Sequence, residues 1–355
     1  MSDFQVFLGA LLPLAFLLSF FLTRLAIRYA LGRQLLDQPG PRRSHHEATP
    51  RGGGIAVVAT FLLAAAVAAL TGQTGTASLG WIAGGSAVMC ALGFWEDHKP
   101  LSRRLRLLAQ LLTSAAVAWG LGVHDPAFVE RIWPDWLALV GTPVRPWLLS
   151  GLVVVAMVWM VNLFNFMDGI NGLAGCETVF ACAVFAAVAA VAGFQGQALL
   201  LGGAAAAALG FLPWNFPHAK VFLGDSGSYG IGFLLAAVLV DGAQAAYLSP
   251  WVGIAVLGLF VMDASLTLAF RVVSGARWYN PHREHAYQLM VRRGWRHASV
   301  VFAASAVNLL FILPVLWLGG DDHQSTASLA VLLGLTVLWL GLRFYFGRQQ
   351  DSIQT

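Results

Sequence analysis

Carboxylates at Asp97, Asp168 and Asp225 stand where long apolar runs give way to Gly, Asn or another acid. Glu96 precedes Asp97; Asp168 lies in NLFNFMDGINGLAG (162–175), and Asp225 in FLGDSGS (222–228). Hard oxygen donors of this kind select magnesium, with manganese as the substitute. Basic residues share these segments or lie close by: Arg51 in DQPGPRRSHHEATPRGGG (37–54), Lys99 just after Asp97, and His282, Arg283 and His285 in NPHREHAYQ (280–288). Cations beside a cation site suit an anionic substrate held together with the metal, which points to phosphate. Glycines around Asp168 and Asp225 let backbone amides approach a phosphate at helix starts. The five segments together predict a site for a diphosphate and a metal.

Each element also has a plainer reading. Asp168 suits a turn, Asp225 a helix N-cap, and Glu96–Asp97 with Lys99 and Arg103 a solvated loop. GDSGS also looks like the nucleophile segment of trypsin-like proteases, but no matching His and Asp segments accompany it. Arg292, Arg293 and Arg296 suit topology or lipid headgroups, and His45 and His46 an ordinary loop. Five such elements on one side of a membrane are harder to explain singly.

The membrane follows from composition. Of 355 residues, 58% are hydrophobic and 11% charged, against about 25% charged in an ordinary soluble domain. Mean hydropathy is +0.71. This argues against a soluble enzyme and against disorder. A net charge of +4 gives no reason to invoke nucleic acid. Cys90, Cys176 and Cys182 are irregularly spaced in or beside apolar stretches, which suits packing residues rather than disulfides or zinc ligands.

About 20 apolar residues span a bilayer. Eleven stretches are predicted to do so, roughly 4–28, 53–71, 79–95, 104–122, 148–165, 174–193, 197–214, 228–245, 250–271, 298–318 and 326–346. The first has no small-residue cleavage site and reads as a retained helix. Alternating the loops leaves only Arg131 and Arg145, of 21 Lys and Arg, on the side opposite the rest. The positive-inside rule then places the N-terminus outside, the C-terminus in the cytoplasm, and all five polar segments on the cytoplasmic face. The segment 123–147, with Trp133, Trp136 and Trp147, reads as an outer interfacial hairpin or half-helix. The expected fold is therefore all-α, a polytopic membrane helix bundle forming a single transmembrane domain over 1–355.

In motif order and spacing, residues 1–300 resemble the polyprenyl-phosphate N-acetylhexosamine-1-phosphate transferases, of glycosyltransferase family 4 type. These include O-antigen and common-antigen initiating enzymes and the phospho-MurNAc-pentapeptide translocase. The resemblance rests on NxxNxxDGxxGLAG, FLGDSGS and DxPxxRxxHxxxxPRGGG; HREHAYQ looks most like the O-antigen initiating branch. It implies a bacterial inner-membrane enzyme that moves a sugar 1-phosphate from a UDP-N-acetylhexosamine to undecaprenyl phosphate, releases UMP and requires magnesium.

By the same resemblance, Asp225 and Asp168 belong to the metal-diphosphate and nucleotide site. Asn162 and Asn165 lie near the nucleotide, and His282, Arg283 and His285 form a basic loop closing over the diphosphate. Glu96–Asp97 replaces an acidic pair that is usually Asp-Asp, and Asn171 stands where relatives often carry Asp. Asp97 is expected to accept the acceptor's proton, to hold the acceptor through metal, or to serve in a covalent aspartyl route; the sequence leaves all three open. It also leaves open the sugar (GlcNAc, FucNAc, QuiNAc or another), the peptidoglycan reaction as an alternative, and a homodimer.

Two other functions compete. A polyprenyl phosphatase would need no nucleotide-sized pocket. An ion-coupled transporter would place acids in broken helices at mid-bilayer, often with internal repeats. The sequence shows no repeat, 250–271 reads as one helix, and Asp263 within it takes a supporting or site-lining role.

Overall fold

In lipid a backbone must satisfy its own polar groups, and the helix does so within a single segment. The computed structural model describes residues 3–38, 48–132, 144–277, 280, 282–319 and 324–347. Trp133, Trp136, Arg42, Arg43, His45 and His46 lie outside that set.

The helices run α1 (Asp3–Gly32), α2 (Gly54–Leu70), α3 (Leu79–His98), α4 (Arg103–Gly120), α5 (Pro126–Ile132), α6 (Arg145–Met167), α7 (Leu173–Val191) and α8 (Gln195–Asn215). They continue through α9 (Gly224–Gln244), α10 (Pro250–Val256), α11 (Gly258–Val273), α12 (Ala286–Arg292), α13 (His297–Val307), α14 (Leu313–Gly319) and α15 (Gln324–Gly347). A π-helical turn, Asn308–Ile312, joins α13 to α14. One short antiparallel pair, β1 (Leu36–Asp37) with β2 (Thr49–Pro50), precedes α2.

Each of the eleven sequence-predicted stretches contains helix. Among the described residues eight helices are long and apolar enough to cross a membrane, or nine if the bent pair α10–α11 is one span. α2 is shorter, at 17 residues, and α4 opens on Arg103, Arg104 and Arg106. The exterior carries large apolar side chains on most helices, among them Leu63, Leu112, Val191, Phe302, Trp317 and Val337. That is the surface lipid requires and water penalises.

α8 and α9 form the centre, with 83% and 89% of their spanning windows buried. Small residues allow this packing. A Cβ on Gly54 would sit 2.3 Å from the Gly227 Cα, so α2 and α9 touch backbone to backbone near their starts. A Cβ on Gly93 would meet the Asp225 carbonyl oxygen at 2.1 Å, which brings the end of α3 equally close to α9.

The stretch 250–271 departs from its sequence reading. It is two helices bent by 82° rather than one. The bend falls at Leu257–Gly258, where α15 packs so closely that a Cβ on Gly258 would meet Leu335 at 2.7 Å. The acid beyond the break, Asp263, has local partners. It accepts the Ala286 amide at 2.8 Å, the Trp339 indole at 3.2 Å and the Thr267 hydroxyl at 3.2 Å. It thus ties α11 and α15 to the start of α12.

Candidate active site

Loops at one end of the bundle build a single polar cavity of about 250 Å³. Its construction begins with β2. Phe222 donates its amide to the Pro50 carbonyl at 2.8 Å, and Gly53 and Gly54 donate to Phe222 and Leu223 at 2.9 and 2.8 Å. This backbone ladder sets Arg51 beside the turn that starts α9. Gly224 occupies that turn at φ 77°, a left-handed conformation that favours glycine.

α3 delivers Asp97 to the same turn, and the residue is only 1% exposed. Its Oδ1 accepts the Asp225 amide and its Oδ2 the Ser226 amide, each at 3.1 Å. Arg51 Nε lies 3.9 Å from Asp97 Oδ1, and the same guanidinium donates to the Asp97 carbonyl. α6 supplies Asn165, whose Nδ2 donates to Asp225 Oδ1 at 2.7 Å and to Ser228 Oγ at 2.9 Å. Asp168 follows α6 directly and faces the same cavity. Enclosure raises its carboxyl well above the usual carboxylate range, and the charges of Asp225 and Asp97 push it further up.

The cavity therefore gathers Arg51, Asp97, Asn165, Asp168, Asn171 and Asp225 from the sequence-predicted set. Asn171 is held by its side chain, which donates to the Pro217 carbonyl at 3.0 Å. The other expected residues do not line it. Glu96 turns toward α4, where Arg106 Nη1 and the Leu101 amide donate to it at 3.4 and 3.3 Å. Asn162 lies deeper along α6 and donates to Gln110 Oε1 at 2.9 Å. Lys99 is exposed at the end of α3.

The expected basic residues His282, Arg283 and His285 do not line the cavity. His285, the N-cap of α12, is buried with Nδ1 3.8 Å from Asp263 Oδ1 and does not line the cavity. Glu284, next to it, pairs with Arg271 and with Arg343, the latter at 3.3 Å. His282 is partly buried and pushed down to about 4, by burial first and then by His285, Arg271 and Arg343. A ring with that value is uncharged at pH 7.

Four polar lining residues escaped sequence reasoning. Gln288 ends the quoted NPHREHAYQ segment and reaches the cavity from α12. His297, the first residue of α13, accepts the Asn171 amide on Nδ1 at 3.4 Å. Asn215, the last residue of α8, accepts the Gly172 amide at 2.7 Å and donates to the Val221 carbonyl at 3.0 Å. Asp37, from the first polar segment, also lines the cavity. A lone polar residue closing a long apolar run was the available signal for Asn215.

Among the described residues no three His, Cys, Asp or Glu side chains form a ready-made metal cage. That arrangement still suits magnesium, which commonly takes one or two carboxylates and completes its shell with water and substrate phosphate. Three acids converging with Arg51 on one cavity also leave Asp168 poorly neutralised, and a hard cation would correct this.

Comparison with known proteins shows the family. The profile described as glycosyl transferase family 4 matches residues 78–243. The decaprenyl-phosphate N-acetylglucosaminephosphotransferase of Mycobacterium leprae is 31% identical over 360 residues, covering 91% of this chain and 86% of the relative. The chain belongs to glycosyl transferase family 4. Further family members align over similar lengths. The undecaprenyl-phosphate alpha-N-acetylglucosaminyl 1-phosphate transferase of Thermotoga maritima is 28% identical, covering 83% of this chain and 87% of the relative. The phospho-N-acetylmuramoyl-pentapeptide-transferase of Corynebacterium jeikeium is 28% identical, covering 89% and 99%. Membership makes this a multi-pass membrane phospho-sugar transferase. The family match spans α3 to α9, the helices that carry Asp97, Asn165, Asp168 and Asp225.

Proposed function

We propose that the protein transfers a sugar 1-phosphate from a UDP-N-acetylhexosamine to undecaprenyl phosphate and releases UMP, initiating a lipid-linked surface polysaccharide such as O-antigen. The observation that carries this reading is the convergence of Asp97, Asp168 and Asp225 with Arg51 in one cavity at a helix-bundle end. The relatives' names, which pair a polyprenyl phosphate with a phospho-sugar, support it. The proposed setting is the bacterial inner membrane, with eleven spans, the N-terminus outside and the cavity on the cytoplasmic face, as the Lys and Arg distribution requires.

In this reaction an acceptor phosphate oxygen attacks the β-phosphorus of the donor. The bond from that phosphorus to the bridging oxygen breaks, and its electron pair leaves with UMP. Anion must approach anion, so positive charge has to be in place beforehand. Arg51 supplies a fixed cation. Asn165 orients Asp225, and Asp97 fixes the turn that carries it. Asp168 and Asp225 would hold a divalent cation, magnesium or manganese, which supplies charge neutralisation for the diphosphate and the leaving phosphate. Asn171, Asn215 and His297 line the side of the cavity next to the Gly169–Gly172 turn and suit the nucleotide's polar edges.

The test is purified protein with magnesium, undecaprenyl phosphate and a panel of UDP-sugars, including UDP-MurNAc-pentapeptide. Products are identified by mass spectrometry. UMP release with a UDP-N-acetylhexosamine is expected. Turnover only with the pentapeptide donor would move the enzyme to peptidoglycan synthesis, and inorganic phosphate release alone would make it a phosphatase. Single cysteines at the exposed positions Ser274 and Ala127, with the three native cysteines removed, test orientation. Labelling of Ser274→Cys from outside intact cells would overturn it.

A further inference from the structure

The turn that carries Asp168 begins where α6 ends, and the last four carbonyls of a helix have no partner within it. One of these, at Phe166, is taken by a side chain from another element: the Tyr287 hydroxyl donates to it at 2.7 Å. Tyr287 is the second residue of α12 and is only 4% exposed. The same hydroxyl lies against the residue that follows Asp168. A Cβ on Gly169 would stand 2.1 Å from the phenol oxygen and 2.9 Å from Cζ. One phenol group therefore touches the chain on both sides of Asp168.

The turn needs such a brace. Asp168 follows the last helical residue, Met167, and its own amide reaches back only to the Asn165 carbonyl at 3.3 Å. Tyr287 is itself well anchored. The Ala286 amide beside it donates to Asp263 at 2.8 Å, and the His285 amide donates to Gln288 Oε1 at 3.3 Å. Burial first, then the charges of Asp263 and Asp168, push the Tyr287 phenol above its ordinary value, so it remains a donor. Asp168 and Gly169 line the polar cavity, whereas Tyr287 does not; it belongs to the wall of a separate apolar cavity of about 230 Å³.

We infer that Tyr287 is a positioning residue of the proposed transfer: its hydroxyl fixes the 166–169 turn and so holds the Asp168 carboxylate in the polar cavity. The phenol acts through the backbone and not on the substrate. The inference rests on the proposed reaction for its consequence in turnover, but the bracing of the turn can be read without turnover.

The test pairs two like substitutions. Tyr287→Phe removes the hydroxyl and keeps the ring. Tyr247→Phe does the same to another buried phenol, which donates to Asp241 at 2.9 Å near the opposite end of α9 from Asp225. Both should lower the melting temperature by a similar small amount. Tyr287→Phe alone is expected to cut kcat for UMP release by about tenfold or more, the scale on which outer partners of a ligating carboxylate are felt. KM for either substrate should change by less than about twofold, because no substrate contact is removed. Deuterium uptake in peptides covering 164–172 should rise in Tyr287→Phe and not in Tyr247→Phe. Gly169→Ala places a methyl group against the hydroxyl and should damage turnover by itself. Adding Tyr287→Phe to it should cost little more, because the methyl group already displaces the hydroxyl.

An equal kcat loss in Tyr247→Phe would make the effect one of stability and overturn the inference. Losses that multiply in the double variant, or unchanged uptake over 164–172 in Tyr287→Phe, would overturn it as well. Wild-type protein that released no UMP would refute the proposed reaction, and the uptake comparison would still decide whether Tyr287 braces the turn.

Discussion

Asp97 caps the helix that carries Asp225. Its two carboxylate oxygens take the amides of Asp225 and Ser226, each at 3.1 Å, and these are two of the donors a helix start leaves without partners. The negative charge also faces the positive end of the α9 dipole. With a lone pair on each oxygen engaged and Arg51 alongside, a positioning role fits Asp97 better than that of a strong base. Asp97→Asn turns an NH₂ group toward a backbone N–H. Activity should fall by about a hundredfold, with a clear drop in the detergent melting temperature, because helix capping contributes about 1 kcal/mol or more. Lost activity with an unchanged melting temperature would return Asp97 to a purely chemical role.

Asp225 should behave in the opposite way. Asn165 holds its Oδ1 at 2.7 Å, and the other oxygen remains for a cation. Asp225→Asn keeps size and removes charge, so the melting temperature should hold while magnesium-dependent UMP release falls by about a hundredfold or more, the scale of a lost hard ligand. Asn165→Leu frees the carboxylate to rotate. It should raise the magnesium concentration needed for half-maximal activity. A near-wild-type Asp225→Asn would remove the proposed metal site.

Much of this site was legible in the sequence because its residues terminate apolar runs. Asp97, Asp168 and Asp225 each mark a place where a helix meets a glycine- or asparagine-rich turn, and turns on one side of a bundle can meet. Which side chains turn inward was not legible. Glu96 and Asp97 are neighbours, and about 100° of helix rotation sends one to Arg106 and the other into the cavity. HREH reads as a charged loop, yet Glu284 is tied to Arg271 and Arg343 and His285 is buried near Asp263. Those partners lie on α11 and α15, too far along the chain for spacing to reveal. The break at Leu257–Gly258 was hidden for a related reason: a lone glycine is a weak signal, and Leu335 of α15, which packs against it, lies far along the chain.

Glu96 offers a contrast with its neighbour. Its partners are Arg106 and the Leu101 amide, so its role is to pin the α3–α4 turn. Glu96→Gln should retain most activity, because Gln keeps the length of the side chain and its amide oxygen can still accept from the Leu101 amide and the Arg106 guanidinium. Glu96→Asp shortens the reach to Arg106 and should also be mild. If Glu96→Gln were as damaging as Asp97→Asn in the UMP-release assay, with normal membrane abundance, Glu96 would have to face the substrate.

His282 should make stability depend on pH in a defined window. Its ordinary value of 6.5 falls to about 4 in the folded protein, chiefly through burial. Between those values the unfolded chain carries a proton on this ring that the folded chain does not. Acidification from about pH 6.5 to pH 4 therefore favours unfolding, and the contribution stops growing below about pH 4, where both states are protonated. The ring is partly exposed, so solvent limits the size of the effect. His282→Gln removes the titration and should flatten the fall in melting temperature over that window. It should leave UMP release near wild type at pH 7.5, where the native imidazole is already uncharged. Parallel melting curves from pH 7 to pH 4 would show that His282 titrates normally, and a large activity loss at pH 7.5 would show that the ring acts on the substrate through a hydrogen bond rather than a charge.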